Sequence, residues 1–149
     1  MPGADVSTYI CRAPGALFGP TSKAALAKCI TDIHEQVTGG NRKFTQVLFR
    51  GSSQDDCYIG GKVLEGPHCV IQGHIRAGRS AVERAALIRA MLPAISEILG
   101  VPRYAVWIYL SELPSRAMAE FGHMLPEPGD DEQWLANLPE EDRKRLDQL

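Results

Sequence analysis

Apolar positions along the chain follow two periods that alternate in a fixed order. Thr8 to Arg12 (TYICR) reads as a short strand. Pro20-Thr21-Ser22 then supplies a helix start ahead of Leu26, Ile30, Ile33 and Val37, whose steps of 4, 3 and 4 make one apolar stripe. That helix stops at Thr38-Gly39-Gly40, where glycine accepts a left-handed cap, and Phe44 to Arg50 (FTQVLFR) returns to strand. The same order recurs as a strand from His68 to Ile75, a loop through Gly78, a helix from Ser80 to Leu99 stopped by Gly100, and a strand from Ala105 to Leu113. At an offset of 61, Ala24, Ala25, Leu26 and Gly39 fall on Ala85, Ala86, Leu87 and Gly100.

The chain is therefore expected to be a tandem β-α-β repeat, units 7–50 and 68–113, within one domain over 1–149. Gly51 to Pro67, with Gly60-Gly61 and Gly66-Pro67, reads as a hairpin or an irregular crossover. Residues 114–149 form the tail. A short helix is expected near Ser115 to Phe121, then a Pro/Gly break at Leu125 to Gly129, then an acidic and mixed-charge stretch that ends helical as a solvated face. Two such units build an α/β (α+β) fold, a four-stranded sheet with both helices on one face. Val47-Leu48-Phe49 and Ala105-Val106-Trp107-Ile108 make the strands read apolar on both sides, so the uncovered face is expected to pack on other subunits.

Charge narrows the function. Among 149 residues, 16 Lys+Arg against 18 Asp+Glu give a net charge of -2 with both signs scattered, which is no field for nucleic acid or anionic lipid. Apolar runs are short and charge-interrupted, and no basic segment followed by an apolar one opens the chain, so neither a membrane span nor a signal peptide is expected and the location expected is cytoplasmic. Cys11, Cys29, Cys57 and Cys69 show no CxxC and no zinc-ligand spacing, so they read as reduced, partly buried thiols and no metal is expected.

The sharpest local signal is Arg76-Ala77-Gly78-Arg79-Ser80-Ala81-Val82-Glu83. Ser80 and Glu83 make a capping box, and two guanidinium groups precede a helix start whose free N–H groups favour anions, so a small carboxylate is the natural guest. Such arginines are also common surface groups. His34 borders the apolar stripe of the first helix where the second unit carries Ile95. Tyr109 reads first as a strand-core phenol, and Glu120 first as a helix-surface carboxylate.

Taken together, the double repeat carrying ITDIH, GHIRAGRS, VWIYLSELP and AEFGHMLPEPG resembles the tautomerase superfamily, specifically its cis-3-chloroacrylic acid dehalogenase branch, from about Thr8 to Leu138. The resemblance implies a homotrimer without metal or organic cofactor. It also implies an active site around an N-terminal proline, with the branch's histidine on His34, its carboxylate-binding arginines on Arg76 and Arg79, its tyrosine on Tyr109 and its water-activating glutamate on Glu120. At the proline's position this sequence has Ser7, and the only early proline is Pro2, five residues upstream. Once Met1 is removed, Pro2 would present a secondary amine with α-amino basicity near pKa ~8. The activity implied is hydration or dehalogenation of a short unsaturated carboxylate, a cis-3-haloacrylate or an acetylenic acid. The alternatives are enol–keto tautomerisation of a 2-oxo acid, or a non-catalytic trimeric carboxylate-binding member.

Overall fold

A computed structural model describes residues 6–149. The first unit is β1 (Ser7–Pro14), α1 (Pro20–Thr38) and β2 (Thr45–Ser52). A small arm follows, a two-stranded hairpin of β3 (Tyr58–Ile59) and β4 (Lys62–Val63). The second unit is β5 (Cys69–Arg76), α2 (Ala81–Leu99) and β6 (Val106–Leu113). The repeat offset of 61 carries α1 onto α2 and β2 onto β6 residue for residue. Gly39 and Gly100, also 61 apart, both take the left-handed cap at φ 73° and 65°.

The sheet runs β2-β1-β5-β6, with each unit internally parallel and the central β1–β5 pair antiparallel. Both helices cover one face. Their fully buried positions are Leu26, Ile30 and His34 on α1 and Leu87, Met91 and Ile95 on α2, each set at i, i+4, i+8 and again 61 apart. His34 is thus central to the stripe rather than at its border, and Ile33 and Val37 are the flanking, half-buried positions. Against the helices the strands turn Tyr9, Cys11, Ile71 and Ile75, with burial alternating along β1 and β5 as the pleat requires. All four cysteines are free thiols, and burial pushes Cys11 and Cys69 up to about 12.

Tyr9 and Gly73 face one another across the central pair, and a Cβ at Gly73 would lie 2.7 Å from the Tyr9 ring and 2.7 Å from Leu110. The glycine is the space that the phenol occupies. Gly73→Ala is expected to cost about 1–3 kcal/mol by overpacking and to lower the melting temperature by several degrees, roughly 2–4 °C per kcal/mol for a chain of this size. A thermal melt unchanged from the native protein would contradict this packing.

Three sequence expectations are corrected. The open face is mixed: Thr8, Gln46, Arg12, Arg50 and Gln72 share it with Leu48, Trp107 and Tyr109, because the period of 2 interleaves polar positions with the apolar ones. The expected helix over Ser115 to Phe121 is one 3-10 turn, Ser115–Ala117, followed by a hairpin of β7 (Ala119–Glu120) and β8 (His123–Met124). Phe121 and Gly122 at its tip have φ of 52° and 84°, the pair of positive values that a tight two-residue hairpin needs. The tail is also more than a solvated face. Its helices α3 (Asp131–Asn137) and α4 (Glu140–Asp147) bury Leu138 and Leu146 with Leu125 against Val6 and Phe44, forming a second small core.

Candidate active site

The repeat topology delivers most of the expected residues to one end of the sheet. Ser7 opens β1 beside Thr45, the start of β2, and Ile75, the end of β5. The last turns of α1, the first turn of α2 and the β7–β8 hairpin all adjoin these strand ends. His34, Arg76, Arg79 and Glu120 therefore lie on elements that meet at the end of the sheet where Ser7 opens β1, while Pro2 lies outside the described residues.

His34 is fully buried on the helix side, and its Nδ1 shares a 2.8 Å hydrogen bond with the hydroxyl of Tyr9. Tyr9 was not among the residues singled out from the sequence. Its signal was there: a tyrosine on the buried face of a strand needs a polar partner for its hydroxyl.

Arg76, expected to bind a substrate carboxylate, is engaged by the chain itself. Its guanidinium forks onto Asp131, Nη1 to Oδ1 at 2.7 Å and Nη2 to Oδ2 at 3.2 Å, and Nη1 also donates to the Pro126 carbonyl at 3.0 Å. The two side chains are 2% and 6% exposed. Pro128 sits over Gly78, which has φ 120°, so residues 126–131 lie across the turn from β5 to α2. Nothing local in the sequence marks Asp131, one carboxylate in an acidic run 55 residues away.

Arg79 is better placed to meet a ligand. It is partly exposed, donates from Nη1 to the Thr38 carbonyl at 3.0 Å and lies 3.8 Å from Glu83. The capping box forms as expected, Glu83 accepting from the Ser80 N–H and the Ser80 hydroxyl accepting from the Glu83 N–H, so Glu83 occupies the helix N-terminus.

Glu120 approaches the same strand ends from the open face. The hairpin that carries it is pinned by Phe121 packing edge-on against Phe44 and by His123, whose Nε2 lies 2.7 Å from Asp142 on α4. Its carboxyl lines a pocket of about 370 Å³ with Thr8, Lys43, Gln46 and Phe121. Burial pushes it up to about 7, and it makes no hydrogen bond or ion pair among the described residues. A carboxylic acid balanced near neutrality in a pocket large enough for a small substrate and water is suited to accepting or returning a proton.

Tyr109 stands apart. It is 56% exposed on the open face of β6, the strand at the far edge of the sheet from β2. Three strand spacings, ~14 Å, separate β6 from the β2 side of the pocket.

A family model described as a putative oxalocrotonate tautomerase enzyme matches residues 7–138, and the chain belongs to that family within the tautomerase superfamily. Its branch is the one typified by cis-3-chloroacrylic acid dehalogenase. The crystal structure of N1, a member of the cis-3-chloroacrylic acid dehalogenase family, is 30% identical over 95% of this chain and 99% of its own, with a TM-score of 0.89. A fused 4-OT solved as a symmetric trimer is 23% identical over 79% of this chain and 94% of its own, with a TM-score of 0.72. The macrophage migration inhibitory factor of Toxoplasma gondii is 18% identical over 76% and 95%, with a TM-score of 0.63, and both share the fold. No curated protein matches the chain. No helix among the described residues is long and apolar enough to cross a membrane.

Proposed function

We propose that the protein is a cofactor-free enzyme that adds water to a short unsaturated carboxylate such as a cis-3-haloacrylate or an acetylenic acid. The observation that carries this reading is Glu120, an unpaired carboxyl pushed up to about 7 in a pocket beside the start of β1. Arg79 holds the substrate carboxylate and draws electron density toward it, so that C-3 becomes electrophilic. Glu120 takes a proton from water as its oxygen bonds to C-3, and the electron pair of the multiple bond moves to C-2, where a proton from the Pro2 amine completes the addition. With a halide on C-3, the product then loses HX without further catalysis. His34, held by Tyr9, would assist Arg79 with the carboxylate.

Kinship with the tautomerases supports a second use of the same groups, enol–keto exchange in a 2-oxo acid, which needs a proton carrier and a carboxylate site but no water. Glu120 favours water chemistry. The position of Ser7, buried in β1 with its hydroxyl on Thr45 at 3.3 Å, supports a carboxylate-binding member without turnover. Halide release from cis-3-chloroacrylate, paired with ketonisation of a 2-oxo acid enol, separates the three. Halide release that falls strongly in Pro2→Ala supports hydration, ketonisation without halide release supports tautomerisation, neither activity in the native protein supports binding alone, and halide release untouched by Pro2→Ala or by blocking the N-terminal amine overturns the proton assignment. Arg79→Gln is expected to weaken binding of a short unsaturated acid ten- to a hundredfold, the loss of one charge-assisted contact of ~1.5–3 kcal/mol. An unchanged titration curve removes Arg79 from the site.

The assembly we propose is a homotrimer. Leu48, Trp107 and Tyr109 stand exposed on an uncovered sheet, and Tyr109 reaches a Glu120 only if a neighbouring copy brings it across an interface. Sedimentation is expected to give a species of three chains at micromolar concentration, and a stable 16.3 kDa monomer would refute it.

A further inference from the structure

The opposite end of the sheet carries a second cavity, about 570 Å³, that shares no lining residue with the pocket of Glu120. Its floor is the open face where β1 and β2 end and β5 begins, and its wall is Asp56-Cys57-Tyr58 at the arm. Two cations stand on that floor. Arg12 and Arg50 are register partners on adjacent parallel strands, ~4.8 Å apart at the backbone. Both are exposed, and neither makes a hydrogen bond or ion pair among the described residues. Like charges directly opposite one another on a sheet repel, so the pair is a standing cost unless something neutralises it.

Among the described residues no carboxylate pairs with either arginine. The carboxylate on the cavity wall, Asp56, is committed through Oδ2 to the backbone N–H of Ser53 at 3.0 Å, where it caps its own turn, and it lies beyond ion-pair distance of both arginines. Ser52, two positions along from Arg50 on the same face, adds a hydroxyl donor to the lining, and His68 beside Val70 adds a ring nitrogen. The lining is thus rich in donors and sets two guanidinium charges against the single carboxylate of Asp56, which is turned to its own backbone, in a volume of the size that holds small metabolites. Two guanidinium forks match an anion with two negative charges on separate oxygens better than a monoanion, which would leave one arginine unneutralised.

We propose that this cavity is a second ligand site, for a small doubly charged oxyanion that Arg12 and Arg50 clasp from neighbouring strands. Phosphate monoesters and short dicarboxylates both carry this chemistry. The site is separate from the proposed catalytic pocket and does not depend on the reaction assigned there. Because it lies on the open face, its occupant sits where other copies of the chain would approach, and an anion that neutralises the pair also favours their association.

The test is calorimetric titration of the full-length protein, in low-salt buffer, with inorganic phosphate and separately with succinate. The expected result is saturable binding of at least one probe, weakened tenfold or more by Arg12→Gln and by Arg50→Gln, with any turnover at Glu120 unchanged and the ligand-free melting temperature no lower than that of the native protein. Whichever probe binds more tightly identifies the class. Binding that is equal in native and variant proteins overturns the proposal. So does the absence of binding in the native protein, and if the two variants then also shift sedimentation toward monomer, a carboxylate of a neighbouring copy holds the arginines instead.

Discussion

Arg76→Met is expected to unfold the protein more readily rather than merely to weaken its hold on a ligand. The substitution strips the fork from Asp131, whose side chain is 6% exposed, and leaves a buried carboxylate with no counter-charge. Removing one partner of a buried pair typically costs 3–5 kcal/mol, which for a chain of this length lowers the melting temperature on the order of 10 °C. The loss should propagate into the tail, because Pro126 also hangs on Arg76 and α3 begins at Asp131. Replacing both partners, Arg76→Met with Asp131→Leu, should recover most of the stability, since a packed apolar pair of similar volume leaves no charge to desolvate. Asp131→Asn bears on function: it relaxes the fork while keeping one acceptor, and tighter binding of a short carboxylate in that variant would mean that Arg76 can serve a substrate once its internal partner is loosened. A single Arg76→Met protein that melts with the native one would show that the pair contributes nothing to the fold.

The repeat was legible because it was written in local periods. Helix stripes at 26/30/34 and 87/91/95, glycine caps 61 residues apart and short strands between them each depend on neighbours within one turn or one pleat, and they recur. Arg76 and Arg79 were legible as guanidinium groups before a helix start and His34 as a polar ring in an apolar stripe, whereas Tyr109 and Glu120 stood out only through the family resemblance. What stayed hidden depends on distance. Arg76 was expected to hold the carboxylate of a small guest, and no pattern in the sequence marks Asp131 as the internal carboxylate its fork engages. Glu120 was expected on a helix because Met118, Ala119 and Glu120 are helix formers. The positive φ at Phe121 and Gly122, together with Phe44 packing on the turn, overrides that preference and points the carboxyl at the strand ends. Tyr109 illustrates a different limit, since its place on an edge strand acquires meaning only when a second copy is considered.

Glu120→Gln should have the largest effect on chemistry of any single substitution while improving the fold above neutral pH. Glutamine keeps the size and shape of the side chain but neither takes nor returns a proton, so turnover is expected to fall 10²–10⁴-fold, the usual contribution of a positioned acid–base group. If Glu120 acts as a base toward water, kcat/KM of the native protein rises with pH through a midpoint near the carboxyl's value of about 7, and that limb disappears in the variant. Stability moves the other way, for the same cause. Burial raises the folded carboxyl from 4.5 to about 7, so the folded chain binds more protons than the unfolded chain between those values. Stability is therefore full below pH 4.5, declines as pH rises through the window and levels off above about 7. The variant has no such decline and should be the more stable protein at pH 8, by roughly 1 kcal/mol once solvent screening of a half-exposed carboxyl is allowed for, and no different at pH 4. Melting curves for the two proteins at pH 4, 6 and 8, paired with rate profiles over the same range, read both effects. Rate profiles that superpose would remove Glu120 from the mechanism, and melting curves that stay parallel from pH 4 to 8 would show that burial does not raise its carboxyl in the free protein.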